Sequence, residues 1–169
     1  MWQYHGQQRP AFADEPKPHQ ESVWDYPRPP ALVASDHRVR VMSAHTLIAD
    51  TGRSVRVLET ASPPTIYIPP DDIVMAALTE VAGSSWCEWK GAASYFALTD
   101  GDGEVIAWTY IDPTPAFSDL AGYLSFYPGR LHCTVNGETV RAQPGGFYGG
   151  WVTDAIAGPF KGEPGTNHW

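Results

Sequence analysis

Proline and glycine cut this chain into short pieces. There are 16 of each among 169 residues, and a helix interior tolerates neither well. Long helices are thereby disfavoured, and short strands joined by turns are expected instead. Between the breaks the strand pattern is readable. Arg38 to Met42 alternates Arg and Val, and His45 to Ala49 continues after a short turn, which reads as a hairpin. Ser54 to Glu59 alternates again, with Val55, Val57 and Thr60 in one set and Arg56 and Leu58 in the other. Thr65 to Ile68 is a short strand stopped by Pro69-Pro70. Ala92 to Leu98 and Glu104 to Tyr110 flank Asp100-Gly101-Asp102-Gly103 as a second hairpin. Tyr123 to Phe126 adds a strand, and Asn136-Gly137 joins Arg130–Val135 to Glu138–Val140 as a two-residue turn.

Three further elements are predicted. Trp24 and Tyr26 alternate with polar residues in Glu21 to Pro30, as an edge strand ended by prolines would. Asp71 as N-cap predicts a short, largely buried helix over Ile73 to Glu80. Pro113 to Leu120 is expected to carry one helical turn. The length fits one domain. Residues 1–20, without periodicity, form an extended arm, 21–142 the core domain, and 143–169 a tail. The aromatics of the tail, Phe147, Tyr148, Trp151, Phe160 and Trp169, predict that it packs on the core.

Composition narrows the function. A formal charge of −8 leaves little to attract a phosphate backbone, so nucleic acid is not an expected partner. Cys87 and Cys133 are far apart and in no C-x-x-C pair, which argues against a zinc ribbon or a disulfide framework. The six His are scattered, and no metal or other cofactor is expected. Met1 to Glu15 is polar and lacks a signal-peptide core, and no run of about 18 apolar residues suggests a membrane span. A cytoplasmic location is the default expectation.

Several motifs resolve into bland chemistry. Asp100-x-Asp102 begins like a calcium loop, but Glu104, Val105 and Ile111 stand where a third ligand, a glycine and a bidentate glutamate belong. With Gly83-Ser84-Ser85 upstream it also suggests nucleotidyl transfer, yet glycines on both sides of Asp102 place the pair on a flexible tip. Gly158 to Gly165 holds a Lys among glycines, but Pro159 and Pro164 remove amides that a phosphate cradle uses. It reads as structural tail. No G-x-S-x-G elbow occurs.

The titratable groups within apolar strands are more informative. Cys87 lies near Lys90, and a neighbouring cation activates a thiol, although a lone cysteine also serves as a small buried hydrophobe. Glu59 qualifies as a general base, or as half of an ion pair with Arg56, Arg28 or Lys90. Trp86, Trp89 and Trp108 with Tyr95 and Tyr110 are candidates for a ligand cage, and core packing claims several of them. At their odd spacing Trp86 and Trp89 do not share one face of a strand.

An ordered set of segments carries a family resemblance. ESVWDYPRPP, Ile48-Ala49-Asp50-Thr51, Arg56 to Thr60, Tyr67-Ile68-Pro69, Cys87 to Gly91, Trp108-Thr109-Tyr110, Ala121-Gly122-Tyr123 and Phe126-Tyr127-Pro128 resemble the family called domain of unknown function 427, as does the GPFKG-x-PGT-x-x-W ending. The resemblance implies a β-tent fold, akin to B-type methionine sulfoxide reductases, Yippee domains and the drug-binding domain of cereblon. Those relatives hold zinc on two Cys pairs, which this chain lacks. The family also carries a nucleotidyltransferase label, and no established reaction comes with it.

The expected function is therefore small-molecule binding in a β-tent cleft, enzymatic or not. Lys90, Arg56 and Arg28 are expected to hold an anionic or carbonyl group. Trp24, Tyr26, Tyr67, Tyr95, Trp108 and Tyr110 are expected to line the rest. Glu59, Lys90 and Cys87 are the catalytic candidates. The alternatives are a binding module without turnover, monomeric or dimeric through the N-terminal edge strand, and, third, a nucleotidyltransferase.

Overall fold

A computed structural model describes residues 1–169. The chain is mainly β, with fifteen short strands, four 3-10 turns and no α-helix. One antiparallel sheet runs in the order Leu124–Phe126, Val105–Thr109, Gly91–Leu98, Leu78–Cys87. A second runs Glu138–Thr139, His132–Val135, Val39–Ser43, Thr46–Thr51. A third places Ser54–Leu58 between Ala31–Ser35 and Thr65–Tyr67, and the bridge between Ile68 and Leu124 joins it to the first.

Alternation explains the core. Val39 and Val41 turn inward and are fully buried, while Arg40 between them and Arg38 before them face out and share the carboxylate of Asp50. The inward residues meet Ile48, Ile68, Leu124, Phe126 and Cys133 in one cluster. Burial there pushes the Cys133 thiol up to about 12, which keeps it a neutral packing group. The Asn136-Gly137 turn forms as expected, with φ of +47° and +84° between the paired residues Val135 and Glu138.

Two expected elements are replaced. The helix over Ile73 to Glu80 does not form. Two 3-10 turns, Pro70–Asp72 and Met75–Ala77, lead into the ten-residue strand Leu78–Cys87. Asp71, the expected cap, lies inside the first of these turns and caps nothing, and the neighbouring Asp72 carboxylate accepts from Thr51 and Arg53. Ile73 bridges to Ala49, and Leu78 to Val81 finds a ladder partner in Tyr95 to Leu98. Sheet pairing outweighs a weak local helix signal.

The edge strand through Trp24 and Tyr26 is likewise absent. Only Glu21–Ser22 is extended, and it pairs in parallel with Ile156–Ala157 of the tail. Val23–Asp25 is a 3-10 turn whose Trp24 amide donates to the Ser22 hydroxyl. The turn drives Trp24 into an aromatic cluster, edge-on to Tyr4, Phe12 and Trp169. The N-terminal segment thus lies folded against the tail instead of extending away.

Trp24→Ala removes a fully buried indole that both chain ends pack against. It is expected to cost about 3–5 kcal/mol in chemical denaturation. Limited proteolysis is expected to cut residues 1–20 first in the variant.

Candidate functional site

The hairpin between Leu78–Cys87 and Gly91–Leu98 closes through Glu88, Trp89 and Lys90. Gly91 takes φ +100°, a left-handed conformation that favours glycine. Thr114 pins the turn from outside, its hydroxyl donating to the Trp89 carbonyl and its amide to the Lys90 carbonyl. With its backbone held, the turn directs Trp89 and Lys90 at a cavity of about 610 Å³.

Strands supply the aromatic wall. Tyr67, Tyr95, Trp108 and Tyr110 line the cavity, with Tyr127 beside them. The Trp108 indole donates to the Tyr67 hydroxyl at 3.0 Å, and the Tyr95 and Ser85 hydroxyls share a hydrogen bond. Burial raises the pKa of Tyr67 and Tyr110, so these phenols stay neutral. The Trp89 indole N–H is buried without a partner.

Lys90 is only 8% exposed, and its ammonium lies 5.6 Å from the Tyr110 ring centre. Burial disfavours its charge. Tyr67, Cys87 and Glu59 oppose that cost, and its pKa stands above the ordinary lysine value. Lys90 is therefore a cation at neutral pH. Glu59 lines the same cavity, and one of its oxygens accepts from Arg28 Nε at 3.1 Å.

The sequence candidates divide into two groups. Glu59, Cys87 and Lys90 line the cavity with Tyr67, Tyr95, Trp108 and Tyr110. Trp24, Tyr26, Arg28 and Arg56 lie outside its lining. Trp24 belongs to the aromatic cluster with the N-terminal segment. Arg56 pairs with Glu21 at 2.7 Å, and the Tyr26 hydroxyl donates to the same carboxylate at 2.6 Å. That hydrogen bond from Arg56 is the main reason the Glu21 pKa is lowered. Arg28 is spent on Glu59 and on the carbonyls of Tyr4, Thr60 and Trp169. Trp86 and Trp89 both reach the cavity, because Trp89 sits in the turn, past the end of strand alternation.

Lys161 was not expected. It lines the cavity and is 3% exposed, with its ammonium 3.7 Å from the centre of the Trp2 ring. Burial and the nearby Arg28 guanidinium lower its pKa to about 8, against weaker opposition from Glu59 and Glu88. The sequence signal was the Lys between Phe160 and Gly162 in an aromatic tail, which echoes Glu88 to Gly91.

The residues do not fit a zinc site built on two Cys pairs. Cys87 edges the cavity while Cys133 lies in the core of the second sheet. No three His, Cys, Asp or Glu side chains come together. Asp102 accepts the Glu104 amide as a turn residue does. No helix is long and apolar enough to cross a membrane.

The Lys161 shift sets a stability window. An unfolded lysine keeps its proton to about 10.5 and folded Lys161 only to about 8. Between these values the unfolded chain binds the extra proton, so stability rises with pH there, and the cost of burying the charge is felt in full below 8. The stability of wild type minus that of Lys161→Met, from urea titrations, is expected to climb from pH 8 to 10.5. A flat difference contradicts the assignment.

No curated protein matches the chain. A family model described as "Domain of unknown function (DUF427)" matches residues 31–137, more than half of the sequence. That span contains the three sheets, apart from the edge strand Glu138–Thr139, and the Cys87 to Gly91 turn. The chain belongs to this family.

Proposed function

We propose that the cavity binds a small metabolite with an anionic or carbonyl-bearing head group, held by Lys90. One observation carries this reading. Lys90 is a buried cation that faces an aromatic-walled cavity and makes no ion pair with a carboxylate. Burial from water disfavours the ammonium, and a ligand anion supplies it with a charged partner in direct contact. The cavity volume suits a small molecule. The unpartnered Trp89 N–H is a donor the same ligand can satisfy. For turnover, Glu59 is the acid or base and the Cys87 thiol the nucleophile.

A second reading has its own observation. Trp86 is 74% and Phe147 78% exposed, and both border the cavity. Exposed aromatics beside a pocket suit a binding module that takes a residue of a partner chain. Nucleotidyl transfer is less supported, because the lining carboxylates are already engaged, Glu59 by Arg28 and Glu88 by the Trp2 indole.

Calorimetry against a panel of mono- and dicarboxylates tests the first reading. At least one member is expected to bind, and Lys90→Met to weaken it about ten- to a hundredfold, the worth of one hydrogen bond to a charged group. Equal affinity in the variant misplaces the site.

A further inference from the structure

The chain has three lysines, Lys17, Lys90 and Lys161. Two of them line one cavity, and their surroundings differ. Lys90 sits beside the Cys87 thiol and the Tyr67 and Tyr110 phenols, in the field of Glu59. Lys161 is held by its backbone on both sides, its amide donating to the Ala61 carbonyl and its carbonyl accepting from the Gln143 side chain. Its ammonium lies between the Trp2 ring, at 3.7 Å, and the Tyr148 ring, at 5.6 Å. It donates to the Asn167 carbonyl and reaches toward that of Trp169.

The charged groups around Lys161 are Arg28, Glu59 and Glu88, and the main-chain oxygen of the last residue, Trp169, lies 3.5 Å from its ammonium. Arg28 repels its charge, Glu59 is bound to Arg28, and Glu88 accepts from the Trp2 indole. The Trp169 oxygen lies nearer Arg28, at 3.0 Å, so the acceptors around Lys161 are largely taken by other donors, and its pKa is lowered to about 8. A buried, positioned amine with a depressed pKa is the usual equipment for imine chemistry.

We infer that the ligand is an oxo acid, whose carboxylate pairs with Lys90 while its carbonyl carbon forms an imine with Lys161. The inference rests on the proposed ligand site and names its substrate class. The Lys161 lone pair adds to the carbonyl carbon, and the carbonyl π pair moves to oxygen. A proton passes from nitrogen to that oxygen to give the carbinolamine. Loss of water then forms the C=N bond. Amine and carbonyl go to imine and water, and no oxidant or reductant takes part.

The test uses full-length protein with glyoxylate, and separately with butanal as a neutral aldehyde. Cyanoborohydride traps any imine, and peptide mapping locates it. Glyoxylate is expected to label Lys161 at least tenfold more than Lys17, with labelling that rises through about pH 8. Lys90→Met is expected to lower glyoxylate labelling at Lys161 and to spare butanal labelling. Lys161→Arg is expected to lose the label while calorimetry still detects glyoxylate, which also shows that the variant is folded. If glyoxylate binds in a Lys90-dependent way but labels Lys161 no more than Lys17, the imine is overturned and the binding site stands. If Lys90→Met leaves glyoxylate labelling of Lys161 unchanged, the oxo-acid assignment is overturned. With neither binding nor selective labelling, both readings fall.

Discussion

The Arg28 guanidinium is the tie on which the site depends. It is buried, and its nitrogens bond Glu59, the Thr60 carbonyl, the Tyr4 carbonyl and the Trp169 carbonyl. Its flat face lies 4.3 Å from the centre of the Trp2 ring. One side chain thus joins the N-terminal segment, the end of Ser54–Leu58 and the tail. Each of these brings one component to the cavity: Trp2 from the first, Glu59 from the second, Lys161 from the third. A planar fork with several fixed donors can serve so many acceptors, and a lysine here could not. The pair also fixes the Glu59 carboxylate, since a buried cation binds its only carboxylate partner firmly.

Around that tie the cavity is electrically uneven. Buried phenols stay neutral, so the wall offers hydroxyls and ring faces without added negative charge. Two lysines share the space in different states. Lys90 keeps its proton, its pKa raised against the cost of burial, and Lys161 is pushed toward neutrality by burial and Arg28. Environments that drive like groups apart in pKa are a common means of assigning them separate tasks. Here one amine suits the recognition of charge and the other suits addition to carbon.

Much of the sheet architecture was legible because its signals are local. Arg-Val alternation, the Asn136-Gly137 turn and the Asp100 to Gly103 tip each depend on a few adjacent residues. The two misread elements depend on distant partners. Ile73 to Val81 becomes turn and strand because Ala49 and Tyr95 to Leu98 pair with it. The period of two at Trp24 and Tyr26 is broken by a 3-10 turn that buries Trp24 against residues from both chain ends. The site shows the same division. Cys87, Lys90, Trp108 and Tyr110 sit on or beside one sheet, in motifs that stand out. Arg28 and Arg56 look like ligand groups in sequence, but Glu59 and Glu21 claim them once the chain folds. Lys161 lies 71 positions beyond Lys90 in sequence, and only folding of the tail places it on the same cavity.

The central claim is that the cavity is a ligand site built around the Lys90 cation. The most direct measurement is a high-resolution crystal structure of protein purified with minimal washing and soaked in a small oxo acid. The account predicts ligand density with an oxygen in hydrogen-bond reach of Lys90 Nζ. A cavity that stays closed by the surrounding aromatics, or holds only water at saturating soak, contradicts it.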